Sequence, residues 1–527
     1  MSLTKEQQLI VDKCVERFKS DEVESYIQVN AIAGSGKSHT LRSIIDAVKH
    51  LKTNFNSRYF AYSKKLADEA QEKFEKQYTI SSTIHSMAYQ KVVRLLGLNV
   101  FHGNMKTNQL HDIPDNNDLK HFNRKKFNEY RKKSLLYNLS VYFTSGFTSI
   151  SEYITSLDQE DRDVELEELM QYYFTLMARG KHECTHGFYL KLFHIMLHND
   201  AFPKNYIEEF DVLLYDEVGD ANQASLQIFK LLKAKLKVMV GDDLQNIFGF
   251  NNTVNGFKEM EGTGDLFTLS TSFRVSDVIA SKIEPFCKTY CDPNMSFTGI
   301  TYSRPENNSM AYLARTNSSL VGKMIDLDLK GTPYNITKSA DEMFALPIAL
   351  LTIKEHEPIR LKELMHIQRD VDDYFSSAYL QNEYDSIFGY IASKHSDDIS
   401  IKTACALISK YKPTKIFETY KNAKSHAVGK KDHYITLSTL HSSKGLEYDV
   451  VHIMDDMNDR LTKIIMEIEE LVYLTNQDAE TKEEKITLID AMTDSQRQEF
   501  LLYYVGCSRA KHKLINADHL MAGDVIE

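Results

Sequence analysis

Residues 26–38 read YIQVNAIAGSGKS. A run of β-formers passes into a glycine turn and then into a helix opening at Lys37, the setting a phosphate-binding loop requires. In such a loop the backbone N–H groups and the helix N-terminus cradle phosphate oxygens. Gly34 and Gly36 let the backbone approach those oxygens closely, Lys37 reaches the outer phosphates, and the Ser38 hydroxyl is placed to ligate Mg²⁺. Ala31, Ile32, Ala33, Gly34, Ser35, Gly36, Lys37 and Ser38 make up the candidate loop, with Ala31 standing where the general pattern has glycine. A chance glycine turn is the competing reading, and the strand before the turn and the helix after it weigh against that reading.

Outward from the loop the same βα rhythm continues. A helix signal follows Thr4, and SRYFAYS at residues 57–63 reads as the next strand. A second stretch begins with FDVLLYDE at 210–217, followed by KVMVGDD at 237–243. Both are apolar strands ending in acidic residues, where open parallel sheets hold their ligands. Residues 96–204 turn helical and polar, as an insertion into one sheet would. Strand signals return in MAYLARTN at 310–317 and in HYITLSTLHSSKGLEYDVVHIM at 433–454, with a helix-rich stretch between them. The expected class is α/β with parallel sheets. Residues 1–95 and 205–288 form a first unit interrupted by the helical insertion 96–204; residues 289–360 and 432–527 form a second, interrupted by the shorter insertion 361–431. DAETKEEK at 478–485 reads as a solvated helix or loop.

At 527 residues the chain is too long for one core, and 42% apolar with 26% charged residues is ordinary for a globular protein. No apolar run approaches the roughly 20 residues of a membrane span, and the N-terminus shows no basic segment with an apolar core. Six cysteines, Cys14, Cys184, Cys287, Cys291, Cys405 and Cys507, are sparse for this length and suit a reducing compartment. The expectation is a cytoplasmic protein, or a nuclear one if eukaryotic, without membrane association or secretion. A net charge of −11 argues mildly against coating nucleic acid by charge alone. Local charge still matters: HFNRKKFNEYRKK at 121–133 repeats its basic cluster at Arg124/Lys125 and Arg131/Lys132, one stripe on a helix. That stripe is either a solvated face or a nucleic-acid contact.

Asp216-Glu217 ends a predicted strand. One carboxylate can hold magnesium, often through water, while its neighbour orients and deprotonates an attacking water. An acidic pair at a strand end is common by itself, and the loop upstream gives it meaning.

The order and spacing of further motifs resemble the UvrD/Rep group of superfamily 1 helicases over almost the whole chain. LTKEQ at 3–7 is similar to the adenine-reading glutamine motif, which places Gln7 at the base. AYSKKLADE (61–69) and STIHSMAY (82–89) resemble the segments touching single-stranded DNA, implying contacts from Lys65, Thr83 and His85. VGDDLQNIFGF (240–250) resembles the motif linking the two sites, with Gln245 sensing the γ-phosphate and Phe250 facing a base. STSFRVS (270–276) implies Phe273 near the adenine and Arg274 toward the γ-phosphate. LARTN (313–317) implies a DNA contact from Asn317. TLHSSKGLEYD (439–449) puts Glu447 on a ribose hydroxyl and His441 near DNA, and YVGCSRAK (504–511) makes Arg509 the arginine finger.

The resemblance implies two RecA-like P-loop NTPase domains, each with a mainly helical insertion, and the cofactors ATP and Mg²⁺. Lys37, Asp216, Glu217, Gln245, Arg274 and Arg509 are the expected catalytic set, with Ser38 and Asp216 on the metal. The γ-phosphoryl spreads negative charge as it transfers, and cations aimed there lower the barrier. If closure of the two units is needed for hydrolysis, chemistry becomes movement. The expected partners are single-stranded DNA and single/double-strand junctions, with a replication or recombination protein as a further partner of a monomer-capable chain. The form LHSSKGLEYD resembles the branch moving 3′ to 5′, and THGFYLKLF, SFRVSDVIA and LARTN resemble the F-box DNA helicase branch, although no F-box precedes the first motif.

Some positions depart from the family pattern. DEVGD stands where DExQD is common, so Gly219 removes a side-chain amide; Ser508 replaces threonine; Phe248 replaces tyrosine and keeps the ring. His182, Cys184 and His186 lack a fourth ligand at zinc spacing, and Cys287 with Cys291 suit one helix face. With the chain ending soon after LINADHL, no nuclease domain is expected. The short insertion 361–431 favours translocation and protein stripping over processive unwinding. An alternative reading is a nucleotide-gated DNA-binding subunit of a larger repair, recombination or defence complex.

Overall fold

The computed structural model describes residues 3–103, 105–110, 119, 127–247, 255–302, 308–353, 359, 361–426, 428–429, 432–477 and 485–520. The chain divides into two compact units, Met1–Ile32 with Gly36–Leu269, and Ala33–Ser35 with Ser270–Glu527.

The first unit is built on six strands: β1 (Ser25–Ala31), β2 (Ser57–Phe60), β3 (Thr79–Ser82), β4 (Phe210–Tyr215), β5 (Ala234–Gly241) and β6 (Asp265–Leu269). Their order is β3-β2-β4-β5-β1-β6 and every pairing is parallel. All six strands therefore end on one edge of the sheet. The sheet is covered on both faces, which is why β4 is apolar apart from Asp211, a carboxylate paired with Lys52. Val212 and Leu214 pack into a core with Ile27, Val29, Leu41 and Ile44, whereas Leu213 and Tyr215 point into a second core with Phe60, Phe188 and Phe229.

Helix Lys5–Lys19 begins where expected: Thr4 and Gln7 form a reciprocal capping box, and Ile10, Val11, Cys14 and Phe18 line its buried face. Between β3 and β4 the longer helices are Glu129–Thr144, Val164–Ala178 and His186–His198. Their apolar faces join the second core, so this mainly helical segment folds within the first unit. The break between units comes after Leu269, earlier than the boundary expected at 288. The residues between pack within the second unit: β7 (Thr271–Ser276) pairs with β8 (Thr298–Ile300), and Phe286 of helix Asp277–Tyr290 meets the rings of Phe500 and Tyr503.

The second unit has a parallel sheet of β9 (Met310–Ala314), β10 (Tyr334–Ile336), β11 (Ile435–Thr439), β12 (Tyr448–Ile453) and β13 (Ala510–Ile515), in the order β10-β11-β9-β12-β13. Helices Asn317–Leu329, Ala340–Ile353, Ile399–Lys410 and Pro413–Ala423 share one core with this sheet. Helix Asp494–Cys507, opened by a capping box at Thr493, runs directly into Ser508, Arg509 and β13. Among the described residues no helix is long and apolar enough to cross a membrane.

Candidate nucleotide site and nucleic-acid interface

The predicted loop takes the expected local form. β1 ends at Ala31, and the helix Lys37–Val48 starts behind Gly36, whose φ of 81° lies in the left-handed region that glycine tolerates. No side chain caps this helix, so its first N–H groups face the loop. Gly34 also has positive φ, and a Cβ there would lie 2.6 Å from the Cβ of Arg274, a fellow member of the second unit; only glycine fits.

Across the same sheet edge, Asp216 and Glu217 follow β4. Lys37 Nζ lies 3.6 Å from Glu217 Oε1. Glu217 has a φ of 54°, a left-handed conformation uncommon outside glycine, and its N–H donates to Asp216 Oδ1 at 2.9 Å. Asp216 is 7% exposed, and its other oxygen accepts from the Tyr59 hydroxyl. Burial and the adjacent Glu217 push the Asp216 carboxyl up to about 6, against the pull of Tyr59 and Lys37. A buried carboxylate carrying that cost is relieved by a cation. Ser38, Asp216 and Glu217, whose side-chain oxygens suit magnesium, line one cleft of about 90 Å³ with Tyr59, Tyr62, Glu69 and Lys73. Sequence reading missed Tyr59. The signal was one tyrosine inside a short buried strand, with nothing local to mark its hydroxyl.

Gln245 sits in a 3₁₀ turn after β5, buried, donating to Asp242 Oδ2 at 2.7 Å. Gly219, the departure from the family pattern, packs against the same turn: a Cβ there would lie 3.1 Å from the Asp242 carbonyl oxygen. Gln7 is buried, and its Oε1 accepts the Thr4 N–H at 3.1 Å, so it closes the helix N-terminus. Phe248 and Phe250 lie outside the described residues.

In the second unit, Arg274 Nε donates to Glu447 Oε2 at 3.1 Å, and Lys511 Nζ lies 2.6 Å from Glu447 Oε1. Burial raises the Glu447 carboxyl, but Lys511 and Arg274 outweigh that and hold it below its ordinary range. The Tyr302 hydroxyl donates to the Arg274 carbonyl at 2.7 Å, and the Phe273 N–H donates to the Gly34 carbonyl at 2.8 Å. Arg509 is 1% exposed; its Nε donates to Val505 O at 2.8 Å and its Nη2 to Ser508 Oγ at 3.0 Å. Ser508, in place of threonine, thus still supplies the hydroxyl that meets this guanidinium. Lys511 and Tyr302 were not singled out from the sequence.

The residues assigned to nucleic acid are spread over several surfaces. Thr83 and His85 line a cavity of about 350 Å³ with Ser86, Tyr89, Arg94, His186 and Tyr189. Burial and neighbouring His186 lower the His85 imidazole to about 4, so it is neutral at pH 7. Lys65, by contrast, is 84% exposed and only 3.9 Å from Glu69. In the second unit Asn317 and His441 both follow strand ends, of β9 and β11. Asn317 Oδ1 is buried without a hydrogen-bond partner among the described residues. His441 is lowered to about 4 by burial and by Arg315.

Of the basic stripe, Arg131 ion-pairs with Asp163 and Glu165, and Lys132 lies over the Phe127 ring. Arg131 is thereby spent on its own fold; Arg124 and Lys125 lie outside the described residues, as does 478–484. His182 bonds through both ring nitrogens to the carbonyls of Glu183 and Gln109, and His186 bonds to the Tyr189 hydroxyl. Among the described residues no cluster of three or more His, Cys, Asp or Glu side chains could hold a metal ion.

A glycine loop leaving the first strand of a parallel sheet and opening a helix, an acidic pair on the same edge and a second parallel sheet define a protein with two RecA-like α/β domains. The UvrD/REP helicase N-terminal domain matches residues 16–260, and the UvrD-like helicase C-terminal domain matches residues 359–518. The chain belongs to the UvrD/Rep helicase family. It is 24% identical to F-box DNA helicase 1 of Gallus gallus over 489 residues, covering 87% of this chain and 45% of that protein. It is 23% identical to F-box DNA helicase protein 1 of Schizosaccharomyces pombe over 355 residues, covering 63% of this chain and 36% of that one. The chain thus spans less than half the length of these curated relatives.

Proposed function

We propose that the chain is an ATP-hydrolysing, Mg²⁺-dependent DNA helicase or translocase that moves 3′ to 5′ on single-stranded DNA, unwinding duplex or remodelling protein–DNA and recombination intermediates. The observation that carries this reading is the cluster of Lys37, Ser38, Asp216 and Glu217 on one sheet edge, in a chain of this family. The loop residues Ala31 to Ser38 hold the triphosphate, Ser38 and Asp216 share the magnesium, and Glu217 orients the attacking water. Gln245 senses the γ-phosphate, and Arg274 and Arg509 meet its developing charge. Gln7, Phe273 and Glu447 take the adenine and ribose. Lys65, Thr83, His85, Phe250, Asn317 and His441 contact the strand, with bases held by stacking and backbone contacts rather than by sequence.

Residues 96–204 and 361–431 are the inserted domains of the two RecA-like domains, and the shortness of the latter favours translocation over processive strand separation. A single assay tests the whole: ATP turnover with and without oligo-dT, followed by unwinding of duplexes with a 3′ or a 5′ tail. Many-fold stimulation and unwinding from the 3′ tail are expected. Unwinding from the 5′ tail alone overturns the polarity. Turnover indifferent to DNA replaces the motor with the nucleotide-gated binding subunit.

A further inference from the structure

The end of β9 carries Arg315 and Thr316 just before Asn317. Asp456, from helix Asp455–Gln477, accepts the backbone N–H groups of both Arg315 and Thr316, at 3.1 and 2.8 Å, and fixes that strand end. The Arg315 side chain leaves in another direction. Its Nε and Nη2 donate to the two oxygens of Glu499 at 2.8 and 3.0 Å, a planar fork that constrains orientation as well as distance. Glu499 is 6% exposed and has a second cation nearby, Arg460 at 3.6 Å.

Glu499 belongs to helix Asp494–Cys507, the helix that delivers Arg509. The C-terminal end of this helix meets the neighbouring strand end: a Cβ on Gly506 would fall 2.1 Å from Leu440 Cδ2 and displace that side chain, and Leu440 precedes His441. Leu440 N–H donates to Ala314 O at 2.9 Å, joining the two strand ends to each other. One helix is therefore anchored at Glu499 to the residues preceding Asn317 and at Gly506 to the residues preceding His441. Three residues beyond Gly506 stands Arg509.

We propose that the Arg315–Glu499 pair is a positioning device: it makes the DNA-facing strand ends and the Arg509-bearing helix move as one piece, so that strand occupancy at Asn317 and His441 is transmitted to Arg509. This rests on the function proposed above. The pair acts through what it holds, since the Arg315 fork is taken up by Glu499. Physical coupling of this kind needs an element that both sites bias, and a packed helix pinned at two points supplies one.

The test is steady-state ATP turnover of the whole chain, with and without oligo-dT, for the wild type, Glu499→Gln and Arg315→Lys. The neutral isostere keeps the shape of Glu499, and lysine keeps the charge of Arg315 but loses the fork. DNA-free turnover and the KM for ATP are expected within about twofold of wild type and oligo-dT affinity within about threefold, while maximal stimulation falls at least about fivefold in Glu499→Gln and less in Arg315→Lys. Undiminished stimulation in Glu499→Gln overturns the proposal, as does equal loss of basal and stimulated turnover in both variants. If Glu499→Gln does not fold, Arg315→Lys decides, and wild-type stimulation there overturns it. A wild type that DNA does not stimulate removes the proposed motor function itself, and the coupling with it.

Discussion

The Tyr59 hydroxyl donates to Oδ2 of Asp216 across the adjacent strand ends of β2 and β4. It holds in place a carboxylate that burial and Glu217 would otherwise leave costly to ionise. Hydrogen bonds to charged groups contribute about 1.5–3 kcal/mol, so Tyr59→Phe is expected to raise the Mg²⁺ concentration for half-maximal ATP turnover about tenfold or more. Titrating Mg²⁺ at saturating ATP checks it; an unchanged Mg²⁺ midpoint would assign Tyr59 to packing alone.

The ion pair of Lys37 and Glu217 gives two variants with different signatures. Lys37→Ala removes the proposed phosphate ligand and is expected to weaken nucleotide binding as well as turnover. Glu217→Gln keeps the side-chain shape and should bind ATP while losing turnover by about 100-fold or more, the scale of a lost general base. Nucleotide binding and phosphate release, measured in parallel on both variants, separate the roles. Turnover surviving in both would remove this site from the chemistry.

Asn317 presents a buried acceptor with no partner among the described residues, a cost of about 1–3 kcal/mol when no ligand satisfies it. Asn317→Ala is accordingly expected to weaken oligo-dT binding while leaving the thermal midpoint of the free protein equal or higher. A lowered midpoint with full DNA affinity would make Asn317 a structural residue.

Lys191 is fully buried and donates to the carbonyls of Ser145 and Phe147, at 2.6 and 2.9 Å, beyond the end of helix Glu129–Thr144. Burial lowers its ammonium to about 7, well under the value in an unfolded chain. Between about pH 7 and 10 the folded state therefore binds fewer protons than the unfolded, and stability from this group rises with pH, by up to about 1.4 kcal/mol per unit. Thermal unfolding of wild type and Lys191→Met at pH 6, 7.5 and 9 is expected to show the wild type gaining on the variant as pH rises. A constant gap would place the ammonium pKa outside this window.

The phosphate loop was legible because its chemistry is contiguous. Its two glycines and one lysine are neighbours in the chain, and the strand before and helix after are set by local pattern. The strands at 210–215 and 435–439 were readable for a similar reason: short runs of apolar and β-branched residues suit a parallel strand buried on both faces. Short strands such as Thr79–Ser82 and Tyr334–Ile336 were not, since three or four residues carry too little pattern to separate from loop. The basic stripe shows the opposite failure. Arg131 is engaged by Asp163 and Glu165 at the start of another helix, which no reading of residues 121–133 alone supplies.

By itself, then, the sequence determined that a phosphate loop follows a buried strand, that an acidic pair ends another, and that both belong to parallel α/β units of one family. Only the tertiary structure decided that Tyr59 holds Asp216, that Lys511 and Arg274 share Glu447, and that Arg315 is forked onto Glu499, 184 residues away. The reason is physical: a loop's geometry is carried by the dihedrals of neighbouring residues. A hydrogen bond between distant side chains exists only once packing has set strand order and helix position, and nothing in either residue's local surroundings encodes the other.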